Sequence, residues 1–233
     1  MSRSGARMSE FVEYGAPGVG EKANVRELEH GARVRERYDK LAPYIDLMDH
    51  LLVLSLFRVR ARAIACLPLG PGGTVVELGC GTGRNFSYLR HAVGRFGRVI
   101  GVEFSPKMLA LARRQTEKHA LGVDLIDQDI SRYKLPEANL VLLSLCYHTL
   151  ESPTQTLARI WEELRPGGCV AIIDGKPPDI ADKYFRPFGA KVLESVFMGD
   201  AELRPWENLG RLGKVEMKRF VLGAFYVCWV IKP

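Results

Sequence analysis

"VVELGCGTGRNFSYL", residues 75–89, opens as a β-branched run from Val75, carries an acid at Glu77, and then places glycines at 79, 81 and 83 ahead of an amphipathic stretch. A strand that meets three alternating glycines and then a helix must turn sharply. Glycine allows such a turn and lets a ligand approach backbone amides at the helix N-terminus. The spacing is GxGxG, distinct from the GxGxxG of dinucleotide folds. Glu77 would repel a pyrophosphate and attract a ligand that carries a positive charge.

Outward from this stretch, apolar and amphipathic runs alternate. The pattern predicts strands over 74–78, 98–102, 123–126, 139–145 and 169–173, with helices from about 84, over 106–119 and over 153–164. This is the pattern of a Rossmann-like, doubly wound α/β fold with a mostly parallel sheet. Near the end, KVEMKRF and AFYVCWVIK are separated by only three residues around Gly223. That gap is too short for a parallel crossover and right for a hairpin, so a seven-stranded sheet ending in an antiparallel pair is expected.

Residues 1–24 read as a flexible leader, 25–69 as a helical cap and 70–233 as the main domain. The stretch 38–67 is expected to break at Pro43. After that it keeps Ile45, Met48, Leu52, Leu56, Val59, Ala63 and Cys66 on one helical face. Leu47, Leu51 and Leu54 form a second apolar row beside Arg58 and Arg62. Such a row can cap an apolar pocket, rest on an anionic bilayer, or be buried on two sides.

At 233 residues and 47% hydrophobic content the chain can bury one sizeable core. The five cysteines show no CxxC and no spacing to histidines that suits a metal, which argues against a disulfide framework and against a zinc site. An intracellular setting is expected. No secretory signal or membrane-spanning stretch is visible. A net charge of +6 suits a solvated surface, a phosphate-rich partner or an anionic membrane. The basic residues are dispersed and form no patch with stacking aromatics, so nucleic acid is not the expected partner.

Two further acids sharpen the ligand. Glu103 ends the second strand, where a carboxylate can accept hydrogen bonds from both hydroxyls of a ribose. Asp129 follows the third strand, placed to receive an adenine amino group with Ile130 against the ring. Asp127 competes for that role.

These motifs, in order, resemble the class I S-adenosylmethionine-dependent methyltransferases from about Tyr38 to Lys232. VELGCGTG resembles the family's first motif, VIGVEFSPKMLALAR its second, DQDI its adenine site, LVLLSLCYHTL its fourth strand and substrate rim, and LRPGG its turn before strand five. YDKLAPYIDLM, GTGRN and GAFYVCWVIKP resemble the branch of ubiquinone/menaquinone and bacterial phosphatidylethanolamine N-methyltransferases. Asn139 stands where the family commonly has Asp. The resemblance implies S-adenosylmethionine as cofactor. It implies contacts from Tyr38, Glu77, Gly79, Cys80, Gly81, Gly83, Asn85, Glu103, Phe104, Ser105, Met108, Asp129, Ile130 and Ser144, with Tyr38 toward the cofactor carboxylate.

Tyr147 and His148 stand past the fourth strand, where an acceptor should enter. Tyr147 could offer a π face to an amine, and His148 a base to an enolic or phenolic acceptor. Residues 179–200, rich in aromatic and basic side chains, are expected to shape the acceptor site. The expectation is thus methyl transfer to a small apolar or lipid acceptor, a phospholipid amine or a quinone precursor. The location expected is cytoplasmic, with peripheral contact at the inner membrane surface as an option. The alternatives are a soluble small-metabolite O-methyltransferase and a cofactor-binding interaction module without turnover. The oligomeric state is left open.

Overall fold

The computed structural model describes residues 19–176 and 203–233, and within its first helix the side chains of 29–45 and 58–64. The leader before residue 19, the 179–200 segment, and the side chains of Met48, Leu52, Leu56 and the second row at Leu47, Leu51 and Leu54 lie outside the described residues.

Seven strands form one sheet: β1 Thr74–Leu78, β2 Arg98–Glu103, β3 Val123–Asp127, β4 Leu140–Ser144, β5 Cys169–Gly175, β6 Glu216–Phe220 and β7 Phe225–Ile231. Their spatial order is β3-β2-β1-β4-β5-β7-β6. The pairs among β1 to β5 are parallel, while β7 runs antiparallel to both β5 and β6. The Rossmann-like sheet with its closing hairpin is therefore present as read. Every residue of β4 is buried, as a central strand covered on both faces requires.

Side-chain alternation along the strands sorts the core into two layers. Val75, Leu140, Leu142 and Ala171 meet α1 Val19–Ile64 and α2 Phe86–Val93 through Val59, Ala63, Phe86 and Leu89. Val76, Val141, Leu143 and Ile172 meet α4 Pro153–Glu163 and the short α5 Pro205–Gly210 through Leu157, Ile160 and Leu209. Between β2 and β3, α3 Pro106–Lys118 starts as its sequence dictates, with Pro106 at the first turn and Ser105 as N-cap accepting from the Met108 amide at 3.2 Å.

Two sequence expectations change. Helix α1 begins at Val19, inside the stretch read as leader, and it continues through Pro43 without a break. Pro43 sits on the exposed side of the helix, so the carbonyl deprived of its amide partner can face water. Asn139, the departure from the family's usual Asp, is structural. Its Oδ1 accepts from the Thr74 amide and its own amide donates to the Thr74 carbonyl, each at 2.8 Å, tying β4 to β1 below the sheet's functional edge.

Because strand order reverses between β1 and β4, their carboxyl ends splay open there, and this crevice is where a doubly wound sheet takes a ligand. Glu77, Glu103 and Ser144 all reach it from strand ends.

Candidate functional site

The glycine loop leaves β1 with φ of +70° at Gly79, +55° at Gly81 and +79° at Gly83. A side chain at Gly79 would strike Cys146 Sγ at 2.9 Å, and one at Gly83 the Phe86 ring at 2.5 Å. At Gly81 a Cβ would enter open space. The amides differ from the sequence expectation, because the fold itself engages them. Those of Gly79 and Cys80 donate to the Val102 carbonyl, that of Gly83 to the Cys80 carbonyl, and that of Gly81 to Glu103 Oε2. The loop thus offers an open backbone at Gly81 and the acids beneath it. Cys80 turns its side chain into the core.

Glu77 is 1% exposed. Its Oε1 accepts from Asn85 Nδ2 at 2.6 Å, and its Oε2 is buried with no hydrogen-bond partner among the described residues. Burial pushes its carboxyl up to about 7, with Asn85 and the Arg60 charge pulling the other way. Arg60, from α1, places Nη1 at 3.2 Å from Asn85 Oδ1 and 3.4 Å from Ser144 Oγ. Ser144, Arg60, Asn85 and Glu77 therefore form one chain along the crevice.

Glu103 accepts from the amides of Gly81, Phe104 and Ser105 at 2.9–3.0 Å. Burial raises its pKa against these bonds. Ser105 Oγ donates to Asp39 Oδ1 at 2.6 Å, so α1 is clamped over the second strand end. Met108 is buried and joins this clamp only through its capped amide. Beyond Glu103, a cleft is lined by Phe104, Asp129 and Ile130 from below and by His30, Gly31 and Val34 of α1 from above. His30 Nε2 donates to the Thr149 carbonyl at 2.9 Å, and Gly31 lets the helix pass close to Asp129 Oδ2. Asp129 lines this cleft; Asp127, its competitor, is exposed at the end of β3.

Past β4 the backbone takes φ +56° at Leu145, unusual for a non-glycine residue, before the short helical turn Tyr147–Thr149. Consecutive places in that turn separate the two residues read as the acceptor rim. His148 Nδ1 lies 3.1 Å from Asp174 Oδ2 and 3.2 Å from Oδ1, with Asp174 only 3% exposed. Burial alone would lower the His148 pKa; the charge and hydrogen bond of Asp174 outweigh it and raise it. Tyr147 points the other way, fully buried in the second core layer, where its hydroxyl accepts from Asn208 Nδ2 at 2.9 Å. It therefore has no open face for an acceptor. Tyr38 feels the charges of Glu103 and Asp174, and burial first, then Cys146 and these acids, raise its phenol. Cys146 feels Asp174, Glu77 and Glu103 together, and burial keeps its thiol protonated.

Three buried carboxylates, Glu77, Glu103 and Asp174, thus surround one crevice in which Arg60 supplies a cation at the Asn85–Ser144 end. A family model described as a methyltransferase domain matches residues 75–168, the stretch from β1 to the turn before β5. Demethylmenaquinone methyltransferase of Deinococcus radiodurans is 29% identical over 165 residues, 70% of this chain and 66% of that protein. The 2-phytyl-1,4-naphtoquinone methyltransferase of Thermosynechococcus vestitus is 29% identical over 149 residues, 62% of this chain and 65% of its own length. The matches span slightly less than two thirds of these relatives. Residues 75–168 thus match a methyltransferase domain, and the chain is similar to these two methyltransferases.

Solved methyltransferases share the fold. One from Thermotoga maritima superposes with a TM-score of 0.66 at 20% identity, covering 86% of this chain and all 100% of that one. Another from Aquifex aeolicus gives 0.52 at 22% identity, over 73% and 87%. The site fits the family's cofactor, S-adenosylmethionine. The unpartnered Glu77 Oε2 suits an ammonium, the carboxylate cluster a sulfonium, and the open face of Gly81 the ligand's close passage. Glu103 ends β2 beside the cleft that Phe104, Asp129 and Ile130 line.

Sequence reasoning missed Arg60 and Asp174. Arg60 lies in RVRARA, which reads as an ordinary basic helix face. Asp174 carried a usable signal: an acid ending the buried run of β5 at the sheet's carboxyl edge.

Proposed function

We propose that this methyltransferase acts on an apolar acceptor of the reduced quinone type, with His148 as the base. The observation that carries the proposal is the buried His148–Asp174 pair beside the carboxylate crevice. S-adenosylmethionine, when bound, supplies a methyl group already activated on a sulfonium, so the protein must position, exclude water and handle a proton. Asp174 fixes the imidazole through Nδ1 and leaves Nε2 to take a hydroxyl proton from the acceptor. Deprotonating a hydroquinone hydroxyl makes the neighbouring ring carbon nucleophilic. That carbon forms the new bond to the methyl group, and its own hydrogen leaves as a proton when aromaticity returns.

An amine acceptor fits less well, because the π face expected from Tyr147 is buried in the core. The names of the relatives from Deinococcus and Thermosynechococcus support a quinone-type acceptor as well. The experiment is methyl transfer from labelled cofactor to three acceptors in parallel: a reduced naphthoquinone lacking its ring methyl, phosphatidylethanolamine, and a small catechol. Label in the naphthoquinol is the expected result. Transfer to the phospholipid or the catechol alone would overturn the reading in favour of an amine lipid or a soluble metabolite, and tight cofactor binding without any turnover would favour an interaction module.

A further inference from the structure

The hairpin joining β6 to β7 carries exposed apolar residues where its backbone can least accommodate them. Val221 and Leu222 have φ of +51° and +53°, and the Gly223 amide closes the turn on the Phe220 carbonyl at 3.1 Å. The loop runs over the four residues between the paired Phe220 and Phe225, its first three, with Gly223 at φ +84°, are all left-handed, and a β-branched residue there is an outlier. Burial does not explain the choice, since Val221 is 46% and Leu222 72% exposed.

The tip stands on the functional side of the sheet. Phe225 pairs with Gly175, directly after Asp174, and the Lys176 amide donates to the Ala224 carbonyl at 2.8 Å. Basic groups ring it. Arg62 of α1 lies over the Phe220 ring, 5.2 Å from its centroid, with the exposed Arg58 one turn earlier on the same helix face. Lys218 and Arg219 are exposed on β6, and the run Met217–Phe225 contains no acid.

We infer that this hairpin tip is a wedge that enters an anionic lipid surface, with Val221 and Leu222 reaching below the headgroups and the surrounding basic side chains resting on them. Two side chains present too little area for a stable protein interface, whereas an apolar tip within a cationic collar matches an anionic bilayer in both chemistry and charge. The wedge would bring the crevice beside Asp174 to a lipid-dissolved acceptor. In that purpose it rests on the reading above, but the measurement below contains no acceptor and so stands apart from it.

The test is co-sedimentation of the full chain with phosphatidylcholine vesicles, with and without phosphatidylglycerol, at low and high salt. The wild type is expected to bind only the anionic vesicles and to be released by salt. Val221→Asn combined with Leu222→Gly, which places residues that tolerate a left-handed backbone at both positions, is expected to weaken binding about tenfold while the melting temperature holds or rises. Leu222→Ser, which leaves Val221 in place, is expected to fall between the two. The inference is overturned if the wild type ignores anionic vesicles, if the double variant sediments as the wild type does, or if sedimentation equilibrium shows a wild-type dimer that the variant dissolves.

Discussion

Asp174 holds His148 through both carboxylate oxygens, at 3.1 and 3.2 Å from Nδ1, at a point where the chain has just passed the strained Leu145. A buried carboxylate on one ring nitrogen sets the tautomer and makes the other nitrogen the available base.

Replacing Asp174 with Asn should therefore lower kcat by roughly 10²-fold or more, well beyond any loss of cofactor affinity. The pH profile carries a second signature. With the folded pKa of His148 raised, the rate should climb with pH through a point above its ordinary value, and the Asn variant should move that limb toward lower pH. A loss of rate with an unmoved limb would make Asp174 a packing residue only.

The crevice has its own pH dependence. A carboxyl raised to about 7 by burial binds its proton more tightly in the folded than in the unfolded chain. The contribution of Glu77 to the stability of the ligand-free protein is thus fully present below the ordinary carboxylate range and is lost as pH rises through about 7. Cofactor binding runs the other way, since the ammonium calls for the anion. Calorimetric titration should show affinity tightening about tenfold between roughly pH 5.5 and 8, with the effect reduced in Glu77→Gln. Glu103 shifts in the same direction, so the Gln variant is what isolates Glu77. An affinity in the wild type that ignores pH would remove Glu77 from the ammonium site.

Arg60, beside Asn85 and Ser144, is the cation we propose for the cofactor's carboxylate. Arg60→Ala should weaken cofactor binding by about 1.5–3 kcal/mol, the range for hydrogen bonds to a charged group. A decarboxylated cofactor analogue should bind wild type and variant alike. Equal losses for both ligands would show that Arg60 only props the loop.

What was legible in the sequence was local. The strand-glycine-helix succession, the alternation of elements and the acids at 77, 103 and 129 sit in contiguous motifs whose spacing is itself the signal. The unreadable parts depend on where distant segments meet. Nothing in RVRARA distinguishes Arg60, which reaches the site, from Arg62, which lies over Phe220. Neighbouring residues of one short helical turn, Tyr147 and His148, face different ways, and nothing in their own sequence says which of them enters the core. Pro43 was read as a break because proline removes an amide, but an exposed helix face tolerates that loss.

Gly81 gives a direct check on the loop. Gly81→Val would fill the open space over which the ligand passes and force a β-branched residue to φ +55°. Cofactor binding should be abolished, together with about 1–3 kcal/mol of stability from the strained backbone. Retained binding would mean that the ligand passes elsewhere.

The most direct test of the central claim is single-turnover transfer of labelled methyl to a naphthoquinone lacking its ring methyl, offered in reduced and in oxidised form, with the position of the label read by mass spectrometry. The account predicts label on a ring carbon of the reduced form alone, lost in His148→Ala with cofactor affinity unchanged. Equal transfer to the oxidised form, or full transfer by the His148 variant, would contradict it.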